Sequence, residues 1–138
     1  MPATTATGES MERVSSGSPF EPAIGFSRAV RAGDRVMVSG TAPIWPDGHV
    51  DPDVGVQTRR CLEIVFDAIE ALGAGRADVV RTRMYLVDAR DHEEVGRVHG
   101  ELFGAIRPAA TMVVVAALLD PRWKVEIEAE AVIGAGSG

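Results

Sequence analysis

The segment Met112–Leu118 constrains the fold of this chain more than any other. Its residues, MVVVAAL, are all apolar and show no alternation with polar positions. Strands of this kind are typical of sheets that are covered on both faces. The helices that a chain of 138 residues can form are enough to cover one face of a sheet. We therefore expect another copy of the chain to cover the second face.

Hydrophobic periodicity and turn residues predict the element order β-β-α-β-α-β-β. An amphipathic helix is expected from Asp53 to Leu72, and a second helix is expected between its capping residue Asp88 and Pro108. Gly33-Asp34 predicts a tight hairpin turn between the first two strands. The predicted strands are residues 26–32, 35–39, 79–87, 111–118 and 124–133.

Composition indicates one globular domain. Hydrophobic residues make up 46% and charged residues 25% of the chain, and no apolar run is long enough to span a membrane. We expect a disordered extension at residues 1–10, a single domain at 11–133 and a flexible tail at 134–138. A single cysteine and the absence of a signal-like N-terminus favour a cytoplasmic location. The net charge of −6 makes nucleic acid an improbable partner.

The histidines and the cysteine give weak signals for chemistry. His92 and His99 are two helical turns apart, roughly 10 Å, which is too far for both to ligate one metal unaided. Asp88 and His92 have i, i+4 spacing, which is more often a capping or surface pair. Cys61 lies beside the apolar stripe of the first helix and is interpreted as a buried thiol. No nucleotide-binding motif is present, so we expect neither a metal nor a cofactor.

The last predicted strand carries the better candidate. Glu126, Glu128 and Glu130 alternate with apolar residues and share one face. Glu128 and Glu130 are interpreted as a solvated face. Glu126 comes first, near the sheet end where clefts form, and its carboxylate is suited to holding and activating a water. Arg81 and Arg83 share a face of the middle strand, where pairing with these glutamates and anchoring a substrate are both open.

Several segments resemble the YjgF/RidA family, which also carries the label endoribonuclease L-PSP. They run from about residue 12 to residue 133 and are 23–27 (AIGFS), 38–43 (VSGTAP), 80–82 (VRT), 87–88 (VD), 107–111 (RPAAT) and 125–129 (VEIEA). The resemblance implies a chorismate-mutase-like α+β fold, with a mixed sheet that carries two helices on one face. It also implies a homotrimer with small-molecule clefts between subunits.

The resemblance further implies hydrolysis of reactive enamines and imines, such as 2-aminoacrylate, to keto acids and ammonia. By family position, Glu126 is the catalytic residue that places the attacking water. Gly40, Ser27, Ala110 and Thr111 fall at substrate-binding positions.

The chain departs from the family pattern at the substrate site. Ala110 stands where active members carry the arginine that grips the substrate carboxylate, Met112 replaces a frequent cysteine, and Ser27 replaces an aromatic residue. Other arginines, at positions 83, 107 and 122, are alternative sources of a cation. Three hypotheses follow: an imine hydrolase with an atypical substrate, a non-catalytic ligand-binding or regulatory trimer, and an endoribonuclease, against which the acidic charge argues.

Overall fold

A computed structural model describes residues 11–137 of the chain, and the extension expected at residues 1–10 lies outside them. The two helices are α1 (Val54–Ala71) and α2 (His92–Phe103). The strands are β1 (Met11–Val14), β2 (Ala29–Ala32), β3 (Arg35–Thr41), β4 (Val79–Leu86), β5 (Ala109–Val114) and β6 (Val125–Val132). Short helical turns lie at Glu21–Gly25, Arg76–Asp78, Ala89–Asp91 and Ala135–Ser137.

The six strands form one mixed sheet in the order β1-β2-β3-β6-β4-β5. Neighbouring strands are antiparallel except β4 and β5, which are parallel and connected through α2. Gly33 has a φ of 62° in the turn between β2 and β3, a value that glycine adopts at little cost. The predicted α+β fold with a mixed sheet and two helices is confirmed.

The core lies between the helices and one face of the sheet. The apolar side chains of β6 are buried on this face, and they are Val125, Ile127, Ala129 and Ala131. The stripe predicted for α1 is buried against them. Phe66 of α1 meets Phe103 of α2 edge to face, with ring centroids 5.5 Å apart. The alternation along β6 therefore decides which face of the sheet receives the helices.

A buried glutamine connects α1 to the turn before β6. The side chain of Gln57 is fully buried. Its Nε2 donates to the carbonyls of Asp51, at 2.8 Å, and Arg122, at 3.0 Å, and its Oε1 accepts from the backbone N–H of Lys124 at 2.8 Å. These bonds satisfy polar groups of two loops that no strand or helix pairs. They hold the turn two residues before Glu126.

Three features differ from the sequence-based expectations. Strand β1 is an additional strand that was not predicted, because the short sequence MERV gives no clear period. Strand β5 ends at Val114 rather than at residue 118, because its partner β4 ends at Leu86. Asp88 caps the turn Ala89–Asp91 by accepting from the N–H of Arg90, and α2 begins after that turn.

The C-terminal tail contains the short turn Ala135–Ser137, where Asp78 accepts from the N–H of Gly136 at 2.9 Å. The flexibility expected for residues 134–138 stays a prediction.

The apolar strand β5 occupies the outer edge of the sheet. Within one chain it is not buried on both faces: Val113 is 42% and Val114 is 53% exposed. The loop after β5 leaves Leu119 95% exposed. An edge strand with exposed apolar side chains offers both unpaired backbone groups and apolar surface to a partner. Among the described residues, no helix is long and apolar enough to cross a membrane.

Replacing Gln57 by leucine tests the role of this side chain. Gln57→Leu keeps the volume but leaves the N–H of Lys124 and two carbonyls without partners. We expect the free energy of unfolding to fall by about 2–4 kcal/mol, measured by urea denaturation. Val56→Ala, at a neighbouring exposed position, is the control and should cost under about 1 kcal/mol. Equal losses in the two variants would contradict this role.

Candidate functional site

Glu126 lies on the face of the sheet opposite the helices, next to Gly40 of β3. A Cβ atom built on Gly40 would stand 2.7 Å from Oε2 of Glu126. The carboxylate occupies the space that a side chain at position 40 would fill, so a larger residue there would displace it. Gly40 has no positive φ, so its backbone conformation does not call for glycine. The register between β3 and β6 shifts between Val38 and Thr41, which places Gly40 at an irregularity.

The carboxylate of Glu126 is half-buried and free to accept hydrogen bonds. Within residues 11–137, no side chain or backbone N–H donates to it at hydrogen-bond distance. Burial raises its pKa above the ordinary glutamate value, and the neighbouring charge of Glu128 raises it further. The positive charge of Arg28 acts in the opposite direction. Glu126 is therefore a carboxylate with a raised pKa whose oxygen atoms are free to accept hydrogen bonds from a ligand or a water.

Arg28, which the sequence analysis did not single out, is the cation whose charge acts on Glu126. Its Nη2 donates to the carbonyls of Ser39, at 2.8 Å, and Gly40, at 2.7 Å. Its guanidinium forms no salt bridge with the described residues, and burial lowers its pKa. Glu21 and Glu126 influence it only through space. The only signal in the sequence was its place directly after Ser27.

Ser27 lies on the same side of the site as Gly40. Its carbonyl accepts a hydrogen bond from the hydroxyl of Ser39 at 2.7 Å. Ser39 immediately precedes Gly40 in β3. One chain therefore brings Ser27, Arg28, Gly40 and Glu126 to one region of the sheet.

The other two predicted residues, Ala110 and Thr111, do not join this group within one chain. Across the sheet Glu126 is level with Tyr85 of β4, whereas Ala110 is level with Thr82, three residues away along that strand. Three residues of a strand span roughly 10 Å, and β5 is two strands from β6, roughly a further 10 Å. Thr111 instead accepts from Nη2 of Arg81 at 3.4 Å.

The remaining carboxylates of β6 are neutralised by neighbours rather than simply solvated. Nη1 of Arg83 lies 3.5 Å from Oε1 of Glu128 and 3.3 Å from Oε1 of Glu130. The hydroxyl of Tyr85 donates to Glu128. Of the two uses left open for Arg83, the structure shows the pairing with glutamates. Glu126 is thus the carboxylate of this row that has no direct partner.

The other candidate groups have structural roles in the described residues. Nε2 of His99 lies 2.9 Å from the hydroxyl of Thr82, and Nδ1 of His92 lies 2.9 Å from the carbonyl of Ala89. No three metal-ligating side chains of residues 11–137 come close enough to share an ion. Cys61 is buried, as predicted, and burial raises the pKa of its thiol. Arg122 is paired with Asp120.

The pKa of Glu126 tests this electrostatic arrangement. Arg28→Gln removes the charge that favours the ionised carboxylate, so the pKa of Glu126 should rise further. Glu128→Gln removes a repelling charge, so the pKa should fall. Both are measured by carboxyl ¹³C NMR titration, with the resonance assigned through Glu126→Gln. Arg35→Gln, at the exposed start of β3, is the control. A fall with Arg28→Gln, or a rise with Glu128→Gln, would contradict the arrangement.

The chain is similar to proteins of one family over almost its whole length. Residues 17–133 match the family model described as Endoribonuclease L-PSP. Uncharacterized protein SCO2049 of Streptomyces coelicolor is 45% identical over 132 residues, which cover 94% of this chain and 97% of that protein. The 2-iminobutanoate/2-iminopropanoate deaminase of Escherichia coli is 36% identical over 112 residues, which cover 78% of this chain and 86% of the enzyme.

A solved structure supports the same assignment. The crystal structure of Rv2704 from Mycobacterium tuberculosis, described as a member of the YjgF/YER057c/UK114 family, superposes with a TM-score of 0.82 at 47% identity. The match covers 89% of this chain and 99% of that one. The resemblance inferred from the sequence motifs is confirmed: the chain belongs to the YjgF/RidA family, whose family model carries the name Endoribonuclease L-PSP.

Proposed function

We propose that the protein is a cytoplasmic, trimeric hydrolase that deaminates reactive enamines or imines in clefts between subunits. The observation that carries the proposal is the carboxylate of Glu126, half-buried, unpartnered within the described residues and lying against the bare Cα of Gly40. The name of the Escherichia coli relative, 2-iminobutanoate/2-iminopropanoate deaminase, supports this class of reaction. The charge of the whole chain, −6, argues against the endoribonuclease alternative.

In the proposed reaction Glu126 acts as a general base. Its carboxylate takes a proton from water while the water oxygen forms a bond to the imine carbon, and it passes that proton to the imine nitrogen, which becomes an amine. Glu126 then takes the proton of the new hydroxyl and passes it to the amine, so that the C–N bond breaks, ammonia leaves and the hydroxyl becomes a carbonyl. One imine and one water thus give one keto compound and one ammonia. An enamine first takes a proton on carbon to become the imine. A raised pKa makes the ionised carboxylate of Glu126 a stronger base.

A cleft between subunits follows from the separation of the candidate residues. Within one chain, Thr111 and Ala110 lie two strands from Glu126. A second copy that packs against the open face would bring its own β5 near the first copy's Glu126, and it would cover the exposed Val113, which is level with Tyr85 on that face. The family resemblance specifies three copies.

The second candidate function is a ligand-binding or regulatory trimer without catalysis. The observation that favours it is Ala110, which stands at the position where active family members place the arginine that grips a carboxylate. Arg28 is a cation whose charge acts on Glu126, but its Nη2 already donates to two carbonyls. We therefore expect the proposed hydrolase to prefer imines without a carboxylate over simple 2-imino acids.

The first test is hydrolysis of transient 2-aminoacrylate, generated by a pyridoxal-phosphate-dependent dehydratase, and of imines without a carboxylate. We expect acceleration over buffer, and Glu126→Gln should reduce it by about 100-fold or more. Glu70→Gln, on the exposed face of α1, is the control and should retain full activity. Ala110→Arg should increase the rate for 2-aminoacrylate alone.

The outcomes of this assay separate the two functions. No acceleration with any imine by either the wild-type protein or Ala110→Arg would overturn the hydrolase and favour the binding trimer. Unchanged hydrolysis by Glu126→Gln would show that another group is the base.

The oligomeric state is tested separately by light scattering. We expect a mass three times that of the chain. Val113→Asp places a charge on the apolar edge strand and should shift the mass toward that of one chain. Val56→Asp is a matched control, since Val56 is 43% exposed and Val113 is 42% exposed, but Val56 lies on α1. A wild-type monomer would contradict the proposed clefts between subunits.

A further inference from the structure

A groove beside the Glu126 site, with which it shares Arg28, runs between α1 and the loops that follow β1 and β3. Its volume is about 420 Å³, within the range of pockets for small molecules. The floor is one stripe of α1, formed by Arg60, Ile64 and Asp67, and the walls include Arg28 and Trp45. Neither Glu126 nor any of its neighbours on β4 and β6 lines this groove, and the proposed hydrolysis does not use it.

One end of the groove is positively charged and incompletely paired. Arg60 donates from Nε to the carbonyl of Ile44 at 2.6 Å, and its Nη1 is 3.8 Å from Oε1 of Glu63, the nearest carboxylate. Its Nη2 has no acceptor in the described residues. Arg28 uses Nη2 for two backbone carbonyls and forms no salt bridge there. Two guanidinium groups with spare donors in a chain of net charge −6 favour an anion at this end.

The wall next to these cations is apolar and held in place. The ring of Trp45 stacks on that of His49 with centroids 4.8 Å apart. The guanidinium carbon of Arg60 lies 5.9 Å from the centre of the Trp45 ring. Ile44, Pro46 and Ile64 extend the apolar lining. A flat, apolar group joined to the anion would gain contacts here that a small inorganic anion would not.

The other end of the groove carries a negative charge. Asp67 follows Arg60 by seven residues, two turns of α1, which is roughly 10 Å along the helix. Its carboxylate has no hydrogen-bond or salt-bridge partner in the described residues. A ligand with a second anionic group at its far end would face this carboxylate. Asp67 therefore selects against dianions.

We propose that this groove binds a small organic monocarboxylate with a flat apolar substituent. The carboxylate binds to the guanidinium groups of Arg60 and Arg28, the apolar ring lies along Trp45 and Ile64, and Asp67 excludes a second carboxylate. The groove shares Arg28 with the region around Glu126, but the proposed hydrolysis does not use the groove.

Calorimetric titration of the full chain with phenylacetate tests the site. We expect saturable binding that is at least about tenfold tighter than that of acetate, which lacks the ring, or 2-phenylethanol, which lacks the charge. The dicarboxylate 1,4-phenylenediacetate should also bind at least about tenfold more weakly. In ¹⁵N NMR spectra the indole signal of Trp45, assigned through Trp45→Phe, should shift while that of Trp123 stays in place.

Variants locate the bound carboxylate. Arg60→Gln should weaken phenylacetate binding by about tenfold or more. Arg59→Gln, its neighbour on α1, is the matched control, because Arg59 pairs with Glu101 and does not line the groove. Asp67→Asn should bring the affinity for 1,4-phenylenediacetate close to that for phenylacetate. Glu126→Gln removes a negative charge that acts on Arg28, so it should not weaken phenylacetate binding.

Several results would overturn the proposal. They are the absence of saturable phenylacetate binding, equal affinities for phenylacetate and 2-phenylethanol, and equal effects of the Arg60 and Arg59 variants. Loss of binding in Glu126→Gln would assign the ligand to the hydrolytic site instead. Failure of imine hydrolysis with phenylacetate binding intact would reject the proposed function and leave this site standing.

Discussion

The alternation of apolar and acidic residues along β6 is the constraint on which the rest of the structure depends. This strand lies between β3 and β4, so both its edges are bonded and both its faces are in use. Its apolar side chains are buried under α1 and α2, which forces the glutamates onto the opposite face. A shift of one residue in register would bury Glu126, Glu128 and Glu130 under the helices, at a prohibitive cost in desolvation.

Three carboxylates in one row repel each other unless neighbours neutralise them, and the neutralisation is uneven. Arg83 forms salt bridges with both Glu128 and Glu130, and the hydroxyl of Tyr85 donates to Glu128. Glu126 receives only the distant charge of Arg28, because the place beside it belongs to Gly40, which offers no side chain. The same strand thus holds two carboxylates in structural pairs and leaves one available to a ligand.

The elements with a clear period were predictable from the sequence, and the site was predictable only in part. The stripes of α1 and α2 and the turn at Gly33-Asp34 are local patterns, so their elements were placed to within a few residues. Glu126 was found because its strand alternates. Arg28 and Gln57 were missed, because an arginine or a glutamine that bonds backbone carbonyls far away in sequence leaves no periodic signal. The end of β5 depends on the length of β4, which the sequence of β5 does not contain.

The exposed edge strand β5 and the incomplete site around Glu126 have a common explanation in the proposed trimer. A single chain leaves Val113 of the open face in water, and it keeps Thr111 two strands from Glu126. Another copy packed on the open face would bury this apolar surface. The same contact would bring the Thr111 of one copy closer to the Glu126 of another. In that trimer, the apolar residues of β5 that the core of one chain does not bury would form part of the contact that completes the site. In the proposed trimer, the face of the sheet that carries Glu126 is also the face that packs against the next copy.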